Sequence, residues 1–187
     1  MDVFRSTLAV VFTGAMDYWP NVDAVAWFVA EMLPALRQRH AGLRFYIVGR
    51  SPTPAVQALA GEGVVVTGTV PDVRPYLQHA SAVVAPLRVA RGIQNKILEA
   101  MAMGRPVVTV LTCAEVIGAS ADEGLLRASE PAATVAAVDQ LLADPQAAAL
   151  RGERARQFVL DRFSWQAQLA AMDASLNAVL QPEKLHA

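Results

Sequence analysis

Pro86-Leu-Arg-Val-Ala-Arg-Gly-Ile-Gln-Asn-Lys-Ile-Leu-Glu-Ala-Met-Ala-Met-Gly-Arg-Pro-Val-Val108 is the stretch on which the fold can be read. The apolar run Ala82 to Ala85 leads into it and is stopped by Pro86, and Pro106 to Val110 is a second apolar, β-branched run. Both have the pattern of strands buried on two faces. Between them Gly92 to Met103 reads as a helix closed by Gly104. At about 100° per residue, Ile93, Ile97, Ala100 and Met101 share the face expected to pack on a sheet, and Asn95, Lys96 and Glu99 lie together on another. Two strands separated by one helix must pair in parallel through a right-handed crossover.

The same alternation extends in both directions. Upstream, Leu8 to Thr13, Arg44 to Val48 and Val64 to Thr67 read as strands ending at Gly14, Gly49 and Gly68. Asn21 is expected to cap a helix through Leu36, with Pro34 kinking or restarting it. Pro54 opens a short helix at its favoured first position, and Asp72 to His79 forms another. Downstream come a weaker strand, Leu125 to Ala128, and helices over 132–142, 146–162 and 164–180, the last capped by Ser164. The expectation is an α/β fold over residues 1–181, a doubly wound parallel sheet of about six strands with C-terminal helices, followed by a polar tail, 182–187. In such sheets ligands bind beyond the carboxyl ends of the strands, at the switch in strand order. Those ends are Gly14, Gly49 to Arg50, Gly68 and the segment from Pro86 to Gly92.

Composition narrows the function classes. The 187 residues are 54% apolar and 18% charged, which excludes a disordered chain. Mean hydropathy is +0.32, yet no apolar run approaches the ~20 residues of a membrane helix. Sixteen basic residues face seventeen acidic ones, a balance that argues against nucleic acid as a partner. Cys113 is the only cysteine, which excludes an internal disulfide and fits a cytoplasmic setting; no structural metal site of several cysteines is open to the chain. Only two lysines occur, Lys96 and Lys184, and Lys96 is the only one outside the tail. The dinucleotide fingerprint, the P-loop, the G-x-S-x-G elbow and the D-x-D metal pair are all missing, and the three histidines show no metal-ligand spacing.

A helix starting at Gly92 would present free amides and a positive dipole end to an anion. Lys96 can lean back toward those amides, and Glu99, one turn on, can accept hydroxyl donors such as those of a ribose. Arg88 and Arg91 could add charge against a diphosphate. The same spacing also describes an ordinary surface pair of Lys96 and Glu99, and spacing leaves both readings open.

Glu99-Ala-Met-Ala-Met-Gly-Arg-Pro-Val-Val resembles the donor-site signature of group 1 glycosyltransferases, family 4, which have the GT-B fold of two Rossmann-like domains. Phe12 to Ala24, Ile47-Val-Gly-Arg50, Thr67 to Tyr76 and Phe163-Ser-Trp165 extend the resemblance over nearly the whole chain. They look like the branch associated with PEP-CTERM sorting and bacterial exopolysaccharide clusters. The resemblance implies the C-terminal, donor-binding half of a retaining enzyme, with a nucleotide-diphosphate sugar as substrate and no essential metal or other cofactor. It also implies a partner N-terminal acceptor domain absent from this chain, without which the chain alone is inactive. A lipid-linked or polysaccharide acceptor is implied for the full enzyme, which would be cytoplasmic or peripheral at the inner membrane. A fragment with its interdomain face bare is expected to form a homodimer.

The resemblance also implies roles. Glu99 binds the ribose, the Gly92, Ile93 and Gln94 segment meets the diphosphate, and Gly68, Thr69 and Val70 border the nucleobase. Gly14, Ala15 and Arg50 complete the site, and Glu115 sits where the family has a glycine-rich loop and a donor-side glutamate. Two departures matter. Arg91 stands where the family has a glutamate contacting the sugar, and Gly14 to Asn21 lacks the two cations that the family places after its first strand. Arg91 and Lys96 are therefore the expected catalytic cations. Asp17 and Tyr18 either touch a ligand or shape their loop, the three tryptophans are expected to pack, and Cys113 to be inert. The other readings kept open are a non-catalytic nucleotide- or partner-binding module, a GT-B sugar-nucleotide epimerase and a phosphoacceptor-type regulatory domain.

Overall fold

The computed structural model describes residues 8–180; the expected tail at 182–187 lies outside the described residues. Six strands form one parallel sheet in the order β3-β2-β1-β4-β5-β6. They are β1 (Ala9–Thr13), β2 (Arg44–Val48), β3 (Val64–Val66), β4 (Ala82–Ala85), β5 (Val107–Thr109) and β6 (Leu125–Arg127). The order reverses between β1 and β4, which sets the switch point there. Val10 pairs with Phe45 on one side and Ala82 on the other. Every residue of β1, β4 and β5 is buried, as continuous apolar runs in a doubly covered parallel sheet require.

The helices are α1 (Trp19–Glu31), α2 (Leu33–Arg39), α3 (Pro54–Gln57), α4 (Arg74–Gln78), α5 (Asn95–Ala102), α6 (Leu111–Ile117), α7 (Pro131–Ala143), α8 (Pro145–Phe163) and α9 (Trp165–Leu180). Pro34 falls at the second position of α2 and forces the break from α1, as expected. Thr53 caps α3 by accepting from the Val56 amide, and Ser164 caps α9 by accepting from Ala167. Phe28 of α1 stacks on Phe45 of β2 with centroids 4.5 Å apart. Truncating either buried ring to Ala should cost about 3–5 kcal/mol.

Three helix expectations need correction. Asn21 is not the cap of α1: Pro20 fits the first turn without needing its missing amide, so the helix starts at Trp19 and draws Asn21 inside, buried. α5 starts at Asn95 instead of Gly92, because Gly92 takes φ +66°, outside the helical range. Ile93 is therefore nearly half exposed, while Ile97, Ala100 and Met101 do pack on the sheet. Finally, α6 occupies a stretch for which the sequence suggests no element. α9 packs on α8 and leaves Trp165, Leu169, Met172 and Leu176 exposed at helical spacing, so Trp165 is not packed as expected. No helix among the described residues is long and apolar enough to cross a membrane.

Candidate functional site

A cleft of about 510 Å³ opens at the carboxyl ends of β1, β2 and β3, against the first turns of α1 and α5. Its first wall is the turn after β1. There the Gly14 amide donates to the Val48 carbonyl at 3.0 Å and the Met16 amide to the Arg50 carbonyl at 2.8 Å. The ends of β1 and β2 are thus stitched together, with Arg50 exposed on the rim. Thr69, Val70 and Val73 form the wall beyond β3.

The floor is built by residues distant in sequence. Asn21, in the first turn of α1, donates from Nδ2 to the Ala15 carbonyl at 2.9 Å and accepts at Oδ1 from the Lys96 ammonium. Lys96 lies in the first turn of α5, and its Nζ stands 4.4 Å from the centroid of the Phe12 ring, a cation–π contact. Burial pushes the Lys96 ammonium down to about 8, against smaller opposing contributions from Cys113 and Glu99. Lys96 makes no ion pair among the described residues. Glu99 is exposed one turn on and lines the same cleft, as does Asn95. Cation and carboxylate thus bound one cavity, an arrangement suited to a ligand with an anionic middle and a hydroxylated end.

Of the site residues named from the sequence, Gly14, Ala15, Arg50, Thr69, Val70, Gln94, Lys96 and Glu99 come together in this cleft. Gly68 adjoins it without lining it. Arg91, Gly92 and Ile93 lie in the exposed loop before α5, outside the lining, so the Gly92 and Ile93 amides are not the first turn of a helix. Gln94 turns back on that loop, its Nε2 donating to the Arg91 carbonyl at 3.1 Å. Glu115 is exposed on α6, away from the cleft lining. Arg88 is already committed: its Nε donates to Asp23 at 3.0 Å and its guanidinium stacks 5.0 Å from the Trp27 ring centroid, latching the loop onto α1. The Cys113 thiol is buried and pushed up by that burial, as an inert thiol would be. Thr13, Asn21, Val48, Val73 and Asn95 also line the cleft and are not among the site residues expected from the sequence. Among the described residues no group of three or more His, Cys, Asp or Glu could hold a metal.

A family model described as glycosyl transferases group 1 matches residues 7–144. Among solved structures, TarM of S. aureus in complex with UDP superposes with TM-score 0.74 at 20% identity, covering 91% of this chain and 35% of that one. Anabaena Alr3699/HepE in complex with UDP and glucose gives 0.72 at 19% identity, over 92% of this chain and 49% of that one. The C-terminal domain of a group 1 family protein, LpcC of Francisella tularensis, gives 0.63 at 14% identity, over 85% of this chain and 87% of that one. The chain thus spans about a third to a half of the length of the longer structures. A search of curated protein sequences found no match.

Proposed function

Because the chain belongs to the glycosyl transferases group 1 family, we propose that its cleft holds the nucleotide-diphosphate part of a nucleotide-sugar donor. The observation that carries this reading is the single cavity lined by Lys96 and Glu99 at the carboxyl ends of the strands. Lys96 takes the diphosphate oxygens and stabilises their charge as the sugar departs. Glu99 accepts from the ribose hydroxyls, and Thr69, Val70 and Arg50 border the base. Arg91, Gly92 and Ile93 reach the diphosphate only if their loop folds over the bound donor. Arg91 then supplies a second cation.

In the full enzyme the sugar passes, with retention, to a lipid-linked or polysaccharide acceptor held by a second domain. No metal is required by this reading, because Lys96 and Arg91 supply the positive charge. The likeness to an isolated C-terminal domain over most of both chains supports the division of labour. The chain alone binds donor without transferring it, in the cytoplasm or at the inner membrane face, within the exopolysaccharide-associated branch. On its own the chain pairs with a second copy through its exposed interdomain face; light scattering showing a monomer at high concentration would exclude that pairing.

The test is calorimetry of the chain against UDP, GDP and ADP without added metal. One diphosphate should bind selectively. Glu99→Ala should weaken it by ~1–3 kcal/mol, the range for a lost charged acceptor. Unchanged affinity in that variant would remove the ribose role, and no binding of any diphosphate to the wild type would overturn the reading.

A further inference from the structure

Asn21 and Lys96 stand 75 residues apart in sequence and meet at the floor of the cleft. Asn21 is buried and both ends of its carboxamide are used, Nδ2 on the Ala15 carbonyl and Oδ1 on the ammonium of Lys96. The amide is therefore held in one orientation, and through it the ammonium is held over Phe12. Nζ lies 3.1 Å from where a side chain on Gly14 would begin, so it stands directly beneath the β1–α1 turn. A neutral amide is the informative partner here. A carboxylate would also hold the lysine, but it would cancel the charge. The ammonium has three donors and Asn21 takes one. The hydroxyl of Thr13, buried in the same floor, has no partner among the described residues. A positive floor with unspent donors is completed by an anionic oxygen.

We propose that Asn21 is a positioning residue whose carboxamide pins the Lys96 ammonium, charged and unneutralised, under the β1–α1 turn for a diphosphate. This rests on the diphosphate reading of the cleft given above. The other groups facing Lys96 are Glu99 on α5 and Cys113 on α6, with Arg50 lining the cleft from the β2 side.

The chain has two lysines, so lysine labelled with ¹³C gives two ε-methylene signals, and Lys96→Met assigns them. Titration by NMR then reads Lys96 directly, without any ligand. Asn21→Ala should move its midpoint, downward if the ammonium stays in the cleft and upward toward the ordinary value if it swings out. Asn21→Asp, nearly isosteric, should raise the midpoint and serves alone if the Ala variant does not fold. UDP, GDP and ADP are titrated calorimetrically into the same proteins, and both variants should weaken the diphosphate that binds wild type by about tenfold or more. A Lys96 midpoint unmoved in Asn21→Asp would overturn the proposal, as would wild-type affinity in both variants. If no diphosphate binds even wild type, the donor-site reading fails, while the titration still decides whether Asn21 pins Lys96.

Discussion

Gly49 lies against the carbonyl of Gly14: a Cβ on Gly49 would stand 1.6 Å from that oxygen. The turns after β1 and β2 are therefore in backbone contact, and neither can move to admit a side chain without breaking the Gly14–Val48 or Met16–Arg50 hydrogen bonds. Gly49→Ala should destabilise the chain by about 3 kcal/mol or more, above the usual range for an overpacked site because backbone and not a flexible side chain is struck. Gly68 supplies the contrast. It has φ +67° with open space around its Cβ position, so Gly68→Ala should cost only the ~1–2 kcal/mol of left-handed backbone. Urea denaturation of the two variants checks this, and equal losses would mean that the turns yield.

Lys96 should make ligand binding depend on pH. A diphosphate prefers the ammonium form, and in the free cleft that form is lost as pH rises through about 8. Below that value the charge is in place and affinity is level. Above it, binding must first take up a proton, so affinity should fall by up to about tenfold per pH unit until the bound-state value is reached. Calorimetry with the selected diphosphate between about pH 7 and 9.5 measures the slope. A flat profile would show that Lys96 does not touch the diphosphate.

The same lysine should burden the ligand-free fold. Its ammonium is taken out of water with an amide and a ring as its partners, and among the described residues no carboxylate forms an ion pair with it. Lys96→Met keeps the stem and removes the buried charge, so it should raise stability by about 1 kcal/mol while removing diphosphate affinity. Denaturation and calorimetry on one protein preparation read both effects. A variant less stable than wild type would mean that the cation holds the fold together instead of straining it.

What could be read from sequence followed from local periodicity. The strand runs, the Pro34 break and the shared face of Asn95, Lys96 and Glu99 each depend on a few neighbouring residues, and each is present in the structure. α6 is not legible because Leu111 to Ile117 follows β5 without a turn residue and is too short to show a face. The start of α5 is not fixed by the sequence, because a glycine can begin a helix or, as Gly92 does at φ +66°, stand outside it. Asparagine favours the cap position, which suggests a start at Asn21, but Pro20 fits the first turn and the helix starts two residues before Asn21, at Trp19. The Asn21–Lys96 contact joins elements 75 residues apart, and no local pattern in one sequence carries it.

Away from the cleft, Asp139 of α7 ties down the end of α2. His40 donates from Nε2 to its Oδ1 at 2.6 Å and Arg39 donates to its Oδ2 at 2.6 Å. The hydrogen bonds from His40 and then Arg39 hold its carboxyl below the ordinary carboxylate range. A depressed carboxylate adds stability above its unfolded value, about 3.9, and that contribution is lost as pH falls through the lower folded value. With 30% of the Asp139 side chain exposed and Arg39 half exposed, screening keeps the contribution to about 1 kcal/mol or less. Asp139→Asn should therefore lower stability by that amount at neutral pH, and the gap from wild type should close below about pH 4. Urea denaturation across that range checks it; a gap persisting undiminished into strong acid would mean that packing of α7 on α2, and not the carboxylate, carries the effect.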